Sequence, residues 1–460
     1  MTHTFDRTIL REYDIRGIVG KTLNEADAYA LGRTFAAMAT DEGATRVAVG
    51  RDGRTHSPVL AAELIRGLVE GGLNVDEIGV GPSPMLYFAV STLAVQGGIQ
   101  VTGSHNPSDY NGFKMLLNGR SVFGEDIQKL GRRAADGDWT EGLGTVEQVD
   151  VLDTYVERLV QGFQGGSFRI GWDAGNGAAG PALEKLVKLL PGEHFAIHTT
   201  VDGTFPNHHP DPTVEANLED LKALVAQNKL DFGIAFDGDA DRIGAVDSKG
   251  RVVWGDQLLM ILAEPVLKEQ PGATIIADVK ASQILFDHIA KIGGTPLMWK
   301  TGHSLIKSKM KETGAPLAGE MSGHIFFKHR WYGFDDALYA AVRLIEAIAQ
   351  SGKSLTEIMD GMPKSMVTPE LRFPVDESRK FAVISEVRQR LSNNGARVDS
   401  TDGARVMTDD GWWLLRASNT QDVLVARAEA RDEAGLQRLM AQIDDQLEQS
   451  GVERTEGTGH

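Results

Sequence analysis

Arg46-Val47-Ala48-Val49-Gly50, a short loop, and then Ser57-Pro58 running on to Gly71-Gly72 form the stretch that decides the fold. An apolar run this short, bounded by glycine, reads as a buried strand. Ser57-Pro58 opens a helix, with a capping hydroxyl and a proline in the first turn. Leu60, Leu64, Ile65 and Leu68 share one side of it, and Gly71-Gly72 stop it. Upstream, residues 24–39 carry Leu31, Phe35 and Met38 at helical spacing behind a candidate cap, Asn24. Downstream, Gly98-Ile99-Gln100-Val101 reads as another strand. Strand and helix in alternation imply a mainly parallel sheet covered by helices.

The plan repeats along the chain. Val47 to Val49 leads to Asp52, Arg169 to Trp172 leads to Asp173, and Ile275 to Ala277 leads to Asp278. Such widely separated echoes suit successive α/β domains of similar plan and not a solenoid. After about residue 363 the pattern changes. Leu371 to Val375, Ala404 to Met407, Trp412 to Leu415 and Val423 to Ala426 read as strands, flanked by helical patterns at 377–392 and 432–449. Close succession predicts antiparallel pairing and an α+β unit. Residues 453–460 are Gly-rich and polar and are expected to fray.

The 460 residues carry a net charge of −17 and no cysteine. That balance argues against nucleic acid or anionic membrane as a general partner. It excludes disulfide and thiolate chemistry and fits a reducing cytoplasm. The first ten residues lack an apolar core, so no signal peptide is expected, and no apolar run is long enough to span a bilayer. A phosphate ligand would need a local concentration of basic side chains.

Several loops carry chemistry. Thr102-Gly103-Ser104-His105-Asn106-Pro107 ends a strand with a serine that can serve as a phosphorylated nucleophile, Gly103 leaving room for a ligand to approach. Phe232 to Phe236 is an apolar strand ending in Asp237-Gly238-Asp239-Ala240-Asp241-Arg242. Three carboxylates so close repel unless a cation joins them, and oxygen ligands favour Mg²⁺ or Ca²⁺. An EF-hand is excluded, because Arg242 and Ser248 occupy the positions of its glycine and glutamate. A haloacid-dehalogenase phosphatase fits poorly, because Asp241 stands where that motif needs Thr or Val. Gly175-Asn176-Gly177-Ala178-Ala179-Gly180, with Asp202 further on, is a formal dinucleotide fingerprint, but a lone one is better read as a tight strand-to-helix turn. Tyr13-Asp14-Ile15-Arg16-Gly17, Lys300-Thr301-Gly302-His303, Gly319-Glu320-Met321-Ser322-Gly323-His324 and Arg416-Ala417-Ser418-Asn419-Thr420 each set polar side chains beside a glycine or a strand end. The last offers a guanidinium, two hydroxyls and an amide, a set suited to a phosphate dianion.

Taken in order, these loops resemble the α-D-phosphohexomutase superfamily, and within it the bacterial phosphomannomutase/phosphoglucomutase branch. Thr102 to Pro107 matches its phosphoserine loop, Asp237 to Arg242 its metal loop, Gly319 to His324 its sugar-recognition loop and Arg416 to Thr420 its phosphate loop. The resemblance implies three similar mixed-sheet α/β domains, 1–149, 150–251 and 252–363, plus a C-terminal α+β domain, 364–460, around a central cleft. It implies interconversion of hexose 1- and 6-phosphates of glucose and mannose through a phosphorylated Ser104 and a 1,6-bisphosphate. Asp237, Asp239, Asp241 and the phosphorylated Ser104 would hold one Mg²⁺. Lys114, His303 and His324 are the candidates for general acid and base, with Arg242 and Arg16 supplying charge and position. Tyr13, Lys280, Glu320, Ser322, Arg416, Ser418, Asn419 and Thr420 fall to substrate binding, and glucose 1,6-bisphosphate is the expected activator. One departure is visible: the family's Asn-Thr-x-Pro is broken by Gln421-Asp422, a carboxylate beside an anion site, which bears on phosphate affinity. A Mg²⁺-dependent sugar phosphatase and a non-catalytic sugar-phosphate-binding protein are the alternatives. The oligomeric state is not legible.

Overall fold

A computed structural model describes residues 2–419 and 421–452. Strand Arg46–Arg51 and helix Ser57–Glu70 form where expected, with Pro58 in the first turn. The cap differs. His56 is the cap residue and makes no side-chain cap bond, because the Ser57 hydroxyl donates to Asp52 Oδ1 instead, at 2.5 Å. Asn24 does cap helix Glu25–Asp41, accepting from Ala26 N while Asp27 accepts from Asn24 N.

The first sheet runs in the order Ile15–Ile18, Tyr110–Leu117, Gly97–Val101, Arg46–Arg51, Asn74–Val80, Val146–Gln148. Arg46–Arg51 is parallel to both its neighbours, and Gly97–Val101 turns antiparallel onto Tyr110–Leu117. The second sheet orders Val252–Val253, Ile243–Asp247, Phe232–Phe236, Phe168–Asp173, Gly192–Ile197. The third orders Thr295–Trp299, Thr274–Asp278, Leu317–Gly319, Ile325–Phe327, Phe334–Asp335. Both are mixed in the same way, parallel at one end and hairpin-paired at the other. The fourth sheet is antiparallel throughout and packs helices Glu377–Asn393 and Glu433–Gln449. Its strands Gly411–Ala417 and Val423–Ala430 run longer than their sequence patterns, because Arg416, Arg427 and Glu429 alternate with the helix-facing apolar positions and carry no apolar signal.

One apolar cluster spans the first three sheets. Phe88 of the first domain, Trp172 and Phe236 of the second, and Leu258 and Phe334 of the third all belong to it. The fourth domain keeps its own cluster around Trp413, Leu415 and Leu439. The echoed aspartates sit where their parallel strands end, the position at which open α/β sheets build ligand sites. Asp52 accepts from Gly103 N and Thr102 Oγ1, and Asp278 accepts from Met321 N and Thr301 Oγ1. Each thereby ties a functional loop to its sheet.

Candidate active site

Ser104 follows strand Gly97–Val101 in a loop crossed by the metal-loop candidate of the second domain. Its hydroxyl donates to Asp237 Oδ2 at 3.0 Å. The two loops approach backbone to backbone, since a Cβ on Gly238 would collide with the Ser104 carbonyl. Ser104 itself sits at φ 50°, in the left-handed region that disfavours a side chain. Gly103 has a different reason from the one expected. The space its side chain would fill is occupied by the Arg54 guanidinium and not kept open for a ligand.

Asp237, Asp239 and Asp241 are fully buried, with ligand oxygens within 4.8 Å of one another. Asp237 Oδ1 accepts from the amides of Asp241 and Arg242. Burial, then Asp241 and Asp239, push its carboxyl well above the usual range. Burial would also raise Asp239, but the Lys114 ammonium at 2.6 Å and the Ser83 hydroxyl at 2.5 Å hold it below that range. Lys114 also pairs with Asp241. Burial opposes its charge, yet the two aspartates win and keep it an ammonium. Asp239 Oδ1 and Asp241 Oδ1 are buried without a hydrogen-bond partner among the described residues. Orphaned carboxylate oxygens at this spacing fit a hard divalent cation with oxygen ligands.

The loops of the third domain close on the same place. Arg242 Nε donates to His324 Nε2 at 3.0 Å. Arginine is donor only, so the ring proton belongs on Nδ1, which lies 3.0 Å from Asp335 Oδ2. Lys307 in turn donates to Asp335. The His303 ring stacks on that of His324 with centroids 5.8 Å apart. Burial, then the nearby Lys307 charge, depress His303 well below the usual imidazole range, so it stands neutral. Glu320 accepts from Gly302 N at 2.5 Å, and burial raises its carboxyl. Ser322 is half-buried next to it. Lys280 pairs with Glu370 at 3.0 Å; burial would lift Glu370, but Lys280 and Arg372 bring it down to about 2.

The first and fourth domains complete the ring. Arg16 donates to Gly103 O at 3.4 Å and pairs with Asp14. Tyr13 donates to Thr301 O at 2.7 Å and accepts from Asn419 Nδ2 at 2.5 Å, so one hydroxyl joins three domains. Arg416 is buried and donates to Asp402, which also accepts from Thr301 N. The Ser418 hydroxyl accepts from Gln421 N. Asp422 is exposed, and Thr420 lies outside the described residues. The glycines at 175–180 form a turn that packs on the metal loop, Ala178 N donating to Gly238 O at 2.9 Å. A Cβ on Gly177 would meet the Gly238 carbonyl, which accounts for the fingerprint without a nucleotide.

Sequence reading missed Arg54, Ser83, Asp335 and Asp402. Ser83-Pro84 repeats the helix-start signal of Ser57-Pro58 and was findable by it; the other three carry no local signature.

Four family models match in succession: phosphoglucomutase/phosphomannomutase alpha/beta/alpha domain I over residues 7–141, domain II over 153–250, domain III over 254–366 and the C-terminal domain over 370–446. The chain is 47% identical over 433 residues to a phosphomannomutase/phosphoglucomutase of Pseudomonas putida, covering 94% of each. It is 45% identical over 445 residues to one of Pseudomonas aeruginosa, covering 96% of each. A solved family protein of Burkholderia thailandensis superposes with TM-score 0.92 at 43% identity over 99% of both chains. A Thermus thermophilus structure shares the fold at TM-score 0.80 and 22% identity, over 97% of this chain and all of that one. With its four sheets in that order and its loops gathered about Ser104, the chain belongs to the phosphoglucomutase/phosphomannomutase family.

Proposed function

We propose that this chain is a phosphohexomutase in which Ser104 carries the phosphoryl group between the 1- and 6-hydroxyls of a hexose. The observation that carries the reading is the Ser104 hydroxyl 3.0 Å from Asp237, beside a buried set of three carboxylates and the Lys114 ammonium. A phosphatase needs no serine there, and a mere binding protein needs no buried charge balance around it.

In the forward step the free hydroxyl of the hexose phosphate attacks phosphorus, the bond from phosphorus to Ser104 Oγ breaks, and the leaving serine oxygen takes a proton from the Lys114 ammonium. The hydroxyl proton passes to His324 Nε2, which becomes available when Arg242 turns from the ring to the phosphate charge. The Asp335 carboxylate, with Oδ2 3.0 Å from Nδ1, steadies the imidazolium that forms. Lys114, kept charged by Asp239 and Asp241, adds positive potential at the transferring group. Asp237, Asp239, Asp241 and the phosphorylated Ser104 are the groups that would hold Mg²⁺. When bound, that ion supplies neutralisation of phosphoryl charge. The 1,6-bisphosphate then turns and returns its other phosphoryl group to Ser104. Arg416, Ser418, Asn419 and Thr420 hold the phosphate that is not reacting, Lys280 and Tyr13 flank the sugar, and Arg16 orients the loop at Gly103. A hexose phosphate and not nucleic acid is the partner, and a cysteine-free acidic chain suits the cytoplasm. Among the described residues no helix is long and apolar enough to cross a membrane.

Glu320 and Ser322 read hydroxyls that glucose and mannose share, so neither epimer is rejected strongly. Steady-state assays with the two 1-phosphates are expected to give kcat/KM within roughly tenfold, about 1.4 kcal/mol. A preference of about a hundredfold would show that carbon 2 is read elsewhere. Intact mass of the purified protein, before and after glucose 1,6-bisphosphate, tests the central step: one phosphate on Ser104 supports it, and a phosphate on another residue refutes it.

A further inference from the structure

Arg54 is one of the largest fully buried side chains of the molecule, and the steps above give it no role. Its side chain is fully enclosed. The four terminal N–H groups of its guanidinium meet four carbonyls. Nη1 donates to Pro107 O at 2.5 Å and Tyr110 O at 3.1 Å; Nη2 donates to Ser104 O at 2.7 Å and Asn106 O at 2.6 Å. All four acceptors belong to one segment, 104–110, and the first is the carbonyl of the reacting serine. Nε faces Asp52 at 3.2 Å, and the Phe205 ring lies against the guanidinium at 5.1 Å. Asp52 grips the other side of the loop through Gly103 N and Thr102 Oγ1, and Thr102 Oγ1 accepts from Ser104 N.

We propose that Arg54 is a positioning residue for phosphoryl transfer: with Asp52 it forms a clamp that holds Ser104 in its left-handed backbone conformation and so aims Oγ at the metal loop. The proposal rests on the reading that Ser104 is the phosphoryl carrier. A non-glycine residue at φ 50° persists only where its surroundings over-determine it. Four converging hydrogen bonds from a planar, always-charged group do so, and no other side chain supplies that fork. The same geometry accounts for Gly103, where any Cβ would strike the guanidinium. Aiming matters because a phosphoryl donor that strays from line loses rate without losing substrate affinity.

The test is Arg54→Lys, which keeps the charge but cannot reach all four carbonyls. Intact mass after glucose 1,6-bisphosphate, kcat and KM for glucose 1-phosphate, and the phosphorus resonance of the phosphoserine are read on variant and wild type. The expected result is phosphate on Ser104 in both, kcat lower by roughly ten- to a hundredfold with KM within about twofold, and a shifted or broadened phosphorus resonance. A folded variant with kcat within about threefold of wild type, or a loss carried by KM with the resonance unmoved, overturns the clamp. If the variant does not fold, hydrogen exchange on the wild type decides. Slow exchange of the Asn106 and Tyr110 amides supports a clamped loop, and exchange as fast as an open turn overturns it. If wild type takes no phosphate on Ser104, the mutase reading fails instead, and the exchange result still judges Arg54.

Discussion

The Ser104 corner and the Arg416 corner of the site are held by different means. Around Ser104, the first and second domains interlock through backbone: Ser83 N donates to Asp239 O at 2.9 Å, and Gly238 lies against the Ser104 carbonyl. Behind that contact runs the apolar cluster shared by three sheets. Around Arg416, the fourth domain has its own core and meets the third through polar side chains. Arg405 donates to the carbonyls of Val279 and Ala281, Arg427 to that of Lys280, and Glu429 accepts from Ser282 and Gln283 N. A small apolar cluster, Val279 and Met298 against Met407, Trp412 and Leu414, joins them as well. A shared core resists displacement, whereas polar contacts can be exchanged for water or for a ligand phosphate. On the proposed reading, the chemistry is seated on the part with the shared core, and the grip on the distal phosphate on the part joined mainly by polar contacts. The connection near Gly361-Met362-Pro363, after helix Leu355–Gly361, lies between the two regimes.

The sharpest way to break this comparison is Ser104→Ala. It should leave the melting temperature unchanged and cost about three orders of magnitude in turnover or more, about 4 kcal/mol. Retained activity would move the chemistry out of the Ser104 corner. Asp239→Asn comes next. Losing a carboxylate that Lys114 and Ser83 both contact should raise the Mg²⁺ concentration for half-activity and slow turnover by about a hundredfold. Normal turnover by chelator-stripped wild type would refute the metal assignment.

Two smaller effects probe the fourth-domain side. Tyr13→Phe removes the hydroxyl that bridges Thr301 and Asn419. It should raise KM for glucose 1-phosphate by roughly two- to tenfold, the worth of one hydrogen bond, and enlarge the unliganded molecule in solution scattering. An unchanged profile would mean that the bridge does not restrain the fourth domain. Glu370→Gln should show the least. Glu370 is depressed from 4.5 to about 2 in the folded state, so its stabilising pair with Lys280 is fully present above about pH 4.5 and fades as pH falls toward 2. The melting-temperature gap between variant and wild type should be widest near neutrality and close below pH 4.5. A gap independent of pH would mean that the loss is one of packing alone.

How much of this was legible in advance differs by element. Strand Arg46–Arg51, helix Glu25–Asp41 with its Asn24 cap, and the antiparallel fourth sheet follow from periodicity and capping, which are local. The Asp237 loop was legible because three carboxylates after a buried strand are costly without a cation. The role of Ser57 was misread, because a hydroxyl at a helix start has two possible partners and Asp52 is the nearer. The glycines at 175–180 were correctly taken as a turn, but what they pack against was invisible.

By itself, then, the sequence determined the alternation of elements, the charge set of each loop and the order in which the loops occur, because those depend on neighbours in the chain. The tertiary structure alone decided that Lys114 spans Asp239 and Asp241, that Asp335 stands behind His324, that Asp402 serves Arg416, and that Arg54 fills the space at Gly103. Lys114 with the aspartates and Arg54 with Gly103 join residues distant in sequence, while the Asp335 and Asp402 pairings close across neighbouring antiparallel strands. The existence of each pairing depends on how sheets are stacked and which strand ends face one another, and no spacing along the chain encodes that.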